Sequence, residues 1–543
     1  MRKLITLLCT GLMVFVAHAQ WNPNTDQNLL VADLGSGGAS FSEITNDGKT
    51  YIVFWKQVAA PTNFELRLQI LDQDGFKQLG NDGVLLSNQI PMSASTVFNK
   101  STLDAAGNLY VGVTGTGAGT PAYVFKITPQ GTSVWPNGIN VGAGYLPTIL
   151  PLSNNDIIVG IASITEPHMQ VQRFNSSGQP VWANPIAIAS TNFSKSTTPA
   201  DFFELPNNEV ELIFHERTTA SGTGSYLFAQ KIDFNGNTVW DGAKQISNQS
   251  TYYNSFYKGV QDGDVIYYGY TSGANNRFDS YLQRINADGS LPWGAYGADF
   301  DTNQTFFEKN MRIAFEPGSQ YIWAIAQYTP SSQGTAGEYI QKFDKTTGAR
   351  LFTNNGKQVF PIDNNMMAHD GDLHLLNGNP YFLVDKRIHD GLLPFSLNAV
   401  LLDSNGDFAW TQKYIPIATF NATKGSINSL KPFNNRSVVV FQEKKTADVN
   451  DMVYAQSLII PASNLGVNDV VKTKNLKLYP NPAVDIIHVD GVKDNSFTIY
   501  NLVGQIVKSG VTKNGEIAVR ELLKGEYILK IKGQEKSAKF IKK

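Results

Sequence analysis

A chain of 543 residues is too long for one ordinary hydrophobic core, so it divides into several domains or stacks a repeat. It has 42% apolar residues, 11% aromatics and 17% charged residues, against roughly 25% charged in an average soluble domain. That balance suits many short strands joined by polar turns and excludes coiled coil and general disorder. The net charge of −2 conceals an asymmetry: residues 472–543 carry +7 and the body before them, after Lys3, carries −11. An acidic body excludes phosphate neutralisation and hence nucleic-acid binding, and the change of sign marks a boundary near residue 470.

Taken in chain order, Met1-Arg2-Lys3, an apolar stretch from Leu4 to Val16 and Ala17-His18-Ala19 form the pattern of a cleavable secretory signal peptide over residues 1–19. The stretch is shorter than the ~20 residues a membrane-spanning helix needs, and no later run is long enough. Cys9, the only cysteine, lies within it behind Leu8, too early and beside the wrong residue for a lipid anchor. The mature chain from Gln20 is therefore expected to have no disulfide, thiolate metal site or Cys nucleophile.

From Trp21 onward one short pattern recurs. An alternating strand ends in a basic-apolar-Asp/Asn step, a glycine follows three residues later, and an aromatic four beyond that. AQKIDFNGNTVW holds Gly236 and Trp240, VQRFNSSGQPVW holds Gly178 and Trp182, and LQRINADGSLPW holds Gly289 and Trp293. Looser copies pair Gly131 with Trp135, Gly406 with Trp410, Gly348 with Phe352 and Gly75 with Leu79. Upstream of the copies lie hairpin-like stretches with Asn-Asn or Gly-Asn turns, such as Phe202 to Phe214 and Leu430 to Phe441, because those residues tolerate positive φ.

Eight units begin near Trp21, Leu79, Trp135, Trp182, Trp240, Trp293, Phe352 and Trp410, the last ending in the degenerate strand Val453 to Ile460. Each has room for four strands: one after the aromatic, two in the hairpin and one leading to the glycine. Such units bury their faces only against neighbours, and radial closure leaves few exposed edges. The expected fold is all-β: a β-propeller of eight four-stranded blades over 20–462, its first strand latching the last blade. A linear array of sandwich modules is the rival. The recurrent glycine and aromatic read as a turn and a core anchor.

Signals for chemistry are sparse. His369, Asp370, Asp372, His374 and His389-Asp390 gather in the seventh unit, but their spacings match no metal-ligand motif. Asp72 to Gly75 and Asn286 to Gly289 are acidic turns without the further oxygens and the glutamate of a calcium loop; weak calcium binding there is the only cofactor expectation. Tyr252, Tyr253, Phe256, Tyr257, Tyr267, Tyr268 and Tyr270 concentrate in one unit, where exposed rings would stack on sugars and buried ones would be core. No nucleophile elbow, phosphate loop or His-Glu-x-x-His occurs.

After a linker at 463–474 the pattern changes to short alternating runs over 475–543, as in a small β-sandwich. Four features carry a likeness: Tyr479-Pro480-Asn481-Pro482; Ile499 to Gln505, containing Tyr500, Asn501, Gly504 and Gln505; Leu522, Gly525, Tyr527, Leu529 and Ile531; and Lys539-Phe540 near the end. In this order they resemble the type A C-terminal sorting domain of type IX secretion. The resemblance implies Sec-dependent passage of the inner membrane and export across the outer membrane of a Gram-negative bacterium. It also implies a partner in the type IX machinery, removal of the domain, and cargo that is anchored to lipopolysaccharide or released.

A sorting domain is an address and says little about the cargo. The sequence expectation for the body is a monomeric, non-enzymatic binding or adhesion module for glycan or protein. The alternatives are a polymer-degrading hydrolase or lyase with its site in the funnel, and a structural component of the envelope.

Overall fold

The computed structural model describes residues 20–32, 41–92, 100–189, 196–217, 224–252, 258–273, 277–387, 396–445, 451–462, 478–490, 492–501, 505–532 and 537–543. The expected signal peptide and linker, Gly504, His389, Asp390, Tyr253, Phe256 and Tyr257 lie outside them, as does the side chain of Tyr252. The chain divides into two compact units, 1–464 and 465–543.

The body is all-β, with no α-helix among the described residues. Its strands form small antiparallel sheets whose members follow in chain order, as in Phe41–Ile44, Thr50–Gln57, Phe64–Leu71 and Val84–Ser87. Eight such four-stranded groups can be traced among the described residues; the second and third share the long strand Ile139–Pro151, and Thr251–Tyr252 bridges the fourth and fifth.

Second strands such as Thr50–Gln57, Leu109–Thr114 and Ile157–Ser163 are nearly continuous apolar runs because both of their faces are covered. Tyr51, Val53 and Trp55 point into the core shared with the second group, while Ile52 and Phe54 point the other way. Seven cores lie between consecutive groups in this manner. An eighth joins the last group to the first: Val438, Val440 and Val453 pack with Trp21, Val31, Ile52 and Phe54.

The sequence repeat and the sheets are out of phase by one strand. The strand after each aromatic pairs backward, with the strand that precedes its own glycine turn: Ile186–Ile188, after Trp182, pairs with Met169–Phe174. It does not join the hairpin that follows it, as the repeat suggested. The reason is local, since the Gly turn between these two strands is itself a hairpin connection. By the same rule Leu29–Leu30, after Trp21, has no partner before it. It pairs with Met452–Ile459 of the last sheet, Leu29 opposite Ala455 and Leu30 opposite Tyr454.

The glycine and aromatic of one motif do not meet each other. Each aromatic instead covers the glycine of the next group: Trp21 on Gly75, Leu79 on Gly131, Trp135 on Gly178, Trp182 on Gly236, Trp240 on Gly289, Trp293 on Gly348 and Phe352 on Gly406. A Cβ on these glycines would come within 2.7–3.3 Å of the covering side chain, at φ between 73° and 88°. Two indole N–H groups add to the cap: Trp182 donates to the carbonyl of Phe234 at 3.0 Å and Trp240 to that of Ala287 at 3.2 Å. Trp410, where no glycine turn follows, donates to the carbonyl of Pro461 at 3.4 Å.

The C-terminal unit packs a three-stranded sheet (Leu478–Tyr479, Ile486–Val489, Glu516–Ala518) against a four-stranded one built on Ser496–Asn501 and Gly525–Ile531. Its core holds Ile487, Phe497, Ile499, Ile517, Leu529, Ile531 and Phe540. Pro480 and Pro482 cannot donate ladder hydrogen bonds, and Asn481 between them staples the turn to the last strand. Its Oδ1 accepts from the Ile541 amide at 2.9 Å and its Nδ2 donates to the Lys539 carbonyl at 3.3 Å. Tyr527 stacks on Phe540, and Asn501 Oδ1 accepts from the amide of Gln505 at 2.9 Å.

Candidate functional site

Charged residues on or beside the first strands of the body's sheets reach into neighbouring groups. Ser101 of the second group donates to Glu43 of the first at 2.9 Å. Lys100 donates to Thr148 of the third at 3.0 Å and to the Ala200 carbonyl of the fourth. Asp201 of the fourth accepts from the Gly259 amide of the fifth at 3.2 Å. Lys258 then passes over the sixth group to reach Asp372 of the seventh at 2.5 Å.

Asp372 owes its position to a break in the seventh group's first strand, which runs as Met367–His369 and His374–Leu376. Gly371, at φ +89°, lies between them, and a Cβ there would meet Ser429 at 2.8 Å. Arg312 is placed by a register shift between Lys309 and Arg312, where Asn310 takes φ +55°. Its Nη1 donates to the carbonyls of Asn310 and Met311 at 3.3 and 3.2 Å, and its Nε stands 3.6 Å from Asp372 Oδ1. A cavity of about 110 Å³ opens here, lined by Lys258, Arg312, Asp372 and His374 on its polar side and by Val260, Met311, Ile313 and Leu373 on its apolar side.

Burial opposes ionisation of Asp372, but Lys258 and Arg312 outweigh it and hold the carboxyl at about 2. Asp372 in turn raises Lys258. Burial raises Glu43 and Asp201 and lowers Lys100, each partly offset by an opposite charge. Burial also lowers His374, favouring neutral imidazole. Its Nε2 lies 3.0 Å from the Ser429 carbonyl, which can only accept, so Nε2 carries the proton and Nδ1 is left as an acceptor.

The histidine and aspartate cluster of the sequence is divided by the fold. His369 turns into the joint between the sixth and seventh groups, where Nδ1 meets buried Glu338 at 2.9 Å and Nε2 meets the Asn310 carbonyl at 2.8 Å. Asp370 faces Arg387 at 3.9 Å, and among the described members of the cluster only Asp372 and His374 line the cavity. No group of three or more His, Asp or Glu among the described residues is arranged to hold a metal ion. Asp72 braces its own turn, accepting from the amides of Asp74 and Phe76 at 3.0 and 2.9 Å, and Asp288 accepts from the Ser290 amide at 2.9 Å. Tyr267, Tyr268 and Tyr270 are buried in the cores on either side of the fifth group. Glu43, Lys100, Asp201, Lys258 and Arg312 belong to no motif. Glu43, Asp201 and Arg312 lie within first strands and Lys100 and Lys258 immediately precede them, and no local pattern distinguishes them.

Residues 477–543 match the family model of the secretion system C-terminal sorting domain. Among curated proteins none matches the chain. Distantly similar solved structures include an ulvan lyase described as a new family of polysaccharide lyase, at 10% identity over 78% of this chain and 94% of that one, TM-score 0.40. Prolyl oligopeptidase B from Galerina marginata is similar at 10% identity over 78% and 56%, TM-score 0.43. A protein of unknown function from Dyadobacter fermentans is similar at 11% identity over 80% and 98%, TM-score 0.36. Likeness this remote assigns no activity to the body. No helix among the described residues is long and apolar enough to cross a membrane. The chain carries a sorting tail that implies interaction with the type IX machinery, and it is exported to the cell surface or the extracellular space.

Proposed function

We propose that the body is a closed eight-bladed β-propeller displayed or released at the cell surface as a non-enzymatic binding module for glycan or protein. Its ligand site is the cavity around Lys258, Arg312, Asp372 and His374. Closure is supported by Leu29–Leu30 completing the last sheet and by the core that joins the last group to the first. The binding reading is carried by one observation: charged side chains from three groups converge on the cavity and pair with one another there. Such an arrangement orients a polar ligand without presenting an unpaired nucleophile.

The test is to probe glycan and protein arrays with the exported chain and with a Lys258→Met/Arg312→Gln variant. A ligand retained by the parent and lost by the variant supports the reading. Turnover of a polysaccharide or peptide that a point mutation in the body abolishes sinks it.

A hydrolase in the same place is the second reading, favoured by a specific contrast. Glu43, which accepts from Ser101 beside the cavity, and Asp372 within it both face Lys258; burial raises the first carboxyl while Lys258 and Arg312 lower the second, as for an acid and a base in glycoside hydrolysis. Release of reducing sugar by the parent and its loss in Glu43→Gln would establish that reading instead.

A further inference from the structure

The cavity's donors are unequally spent. Asp372 is the one carboxylate lining the cavity, shared by Lys258 and Arg312, so the lining carries one positive charge in a body whose net charge is −11. Lys258 has three N–H donors and its side chain is 65% exposed; one donor goes to Asp372. The Arg312 guanidinium is held in place through Nη1 by two backbone carbonyls. Its Nε lies too far from Asp372 for a hydrogen bond, and neither Nε nor Nη2 has a hydrogen-bond partner among the described residues. That Nε/Nη2 edge is the fork by which arginine takes a carboxylate in two parallel bonds.

The rest of the lining suits the atoms next to such an acid. His374 Nδ1 and the Asp372 oxygens are acceptors that match hydroxyl donors. Val260, Met311, Ile313 and Leu373 form an aliphatic wall for C–H faces. At about 110 Å³ the cavity is small beside the roughly 300 Å³ and upward of a drug-sized pocket, so it admits one end or side group of a larger molecule.

We infer that the site recognises a hydroxycarboxylate, of the kind an acidic sugar presents, with the acid on the Arg312 fork and Lys258 and the adjoining hydroxyls on His374 and Asp372. This rests on the binding reading above and names its ligand class. A peptide carboxyl terminus shares the acid but offers an amide in place of paired hydroxyls, and so leaves one of the two acceptors unmatched.

The experiment is calorimetric titration of the exported chain with sodium glucuronate, with glucose, and with N-acetyl-dialanine. Arg312→Gln and Asp372→Asn are titrated alongside, and circular dichroism confirms that both are folded. Glucuronate is expected to bind and glucose to bind at least about tenfold more weakly. Arg312→Gln should weaken glucuronate at least about tenfold. Asp372→Asn keeps an amide oxygen to accept the hydroxyl and removes the competing anion, so it should tighten glucuronate by several-fold; a misfolded variant cannot mimic that gain.

Equal binding of glucose, or no effect of Arg312→Gln, overturns the inference. Arg312-dependent binding of N-acetyl-dialanine but not of glucuronate overturns the acid-sugar assignment while keeping the site. An array ligand lost by the double variant but unmatched by any of the three probes also overturns the inference and leaves the binding reading standing. Absence of any array ligand removes both.

Discussion

The glycine turns and the first strands of the body obey opposite rules. At the turns one contact recurs seven times, an aromatic or leucine lying on the next group's glycine, with the same φ and nearly the same approach distance. At the first strands no such repetition exists: Glu43, Lys100, Asp201, Lys258, Arg312 and Asp372 occupy different groups and make different contacts. Repetition marks what every group needs in order to pack. The unrepeated residues are the ones available for recognition, since they can change without undoing the scaffold.

If this contrast is right, substitutions at the turns cost stability and substitutions at the cavity cost binding. The largest expected loss follows Trp182→Ala, which removes an indole from the core between the third and fourth groups together with its hydrogen bond to Phe234. Urea unfolding should show about 3–5 kcal/mol of destabilisation. A loss below about 1 kcal/mol would mean that the repeated cap is ornamental.

Glu211 tests what happens when an unrepeated charge enters the scaffold itself. Both carboxylate oxygens are buried without a hydrogen-bond partner, and burial, offset in part by Lys231, pushes the group up to about 8. Because the folded value lies above the ordinary 4.5, the penalty is absent in acid and grows as pH rises from about 4.5 to about 8. Glu211→Gln should therefore match the parent at pH 4 and exceed it by roughly 1–3 kcal/mol at pH 8.5. Urea midpoints at the two pH values would measure the difference, and parallel pH profiles would refute it.

A smaller loss is expected for Gly236→Ala, where φ is +88° and a Cβ would stand 3.2 Å from Trp182. About 1–2 kcal/mol should be lost, visible as a lower Tm by calorimetry. The smallest effect belongs to Lys258→Met. The Lys258 side chain is 65% exposed and that of Asp372 32%, so solvent screens much of the pair and about 1 kcal/mol of stability is at stake. Binding at the cavity should nevertheless fall. A large Tm drop with binding intact would invert the comparison.

The sequence was legible where the physics is local. Hairpins announced by Asn-Asn and Gly-Asn pairs fold as such: Asn207 and Asn208 take φ of 67° and 60°, and Asn434 and Asn435 take 46° and 58°. The sorting tail was legible because Asn481, Tyr527 and Phe540 hold one small core with a fixed spacing. The sequence misled where a repeat has two possible frames. Counting from the aromatic assigns Ile186–Ile188 forward, whereas hydrogen bonding carries it back across its own turn. At the His369 to His374 cluster, whose spacing matched no ligand motif, a strand break sends neighbours in sequence to different partners.

By itself, then, the sequence determined an all-β body, its period, its turns and an export tail, each of which depends on residues within a few tens of positions. Only the tertiary structure decided which charges share a cavity. Lys258 and Asp372 are 114 residues apart, the one just before a first strand and the other in the break of one. Nothing short of folded sheets packed side by side brings them to 2.5 Å, because their attraction is a consequence of that packing and leaves no local pattern in the chain.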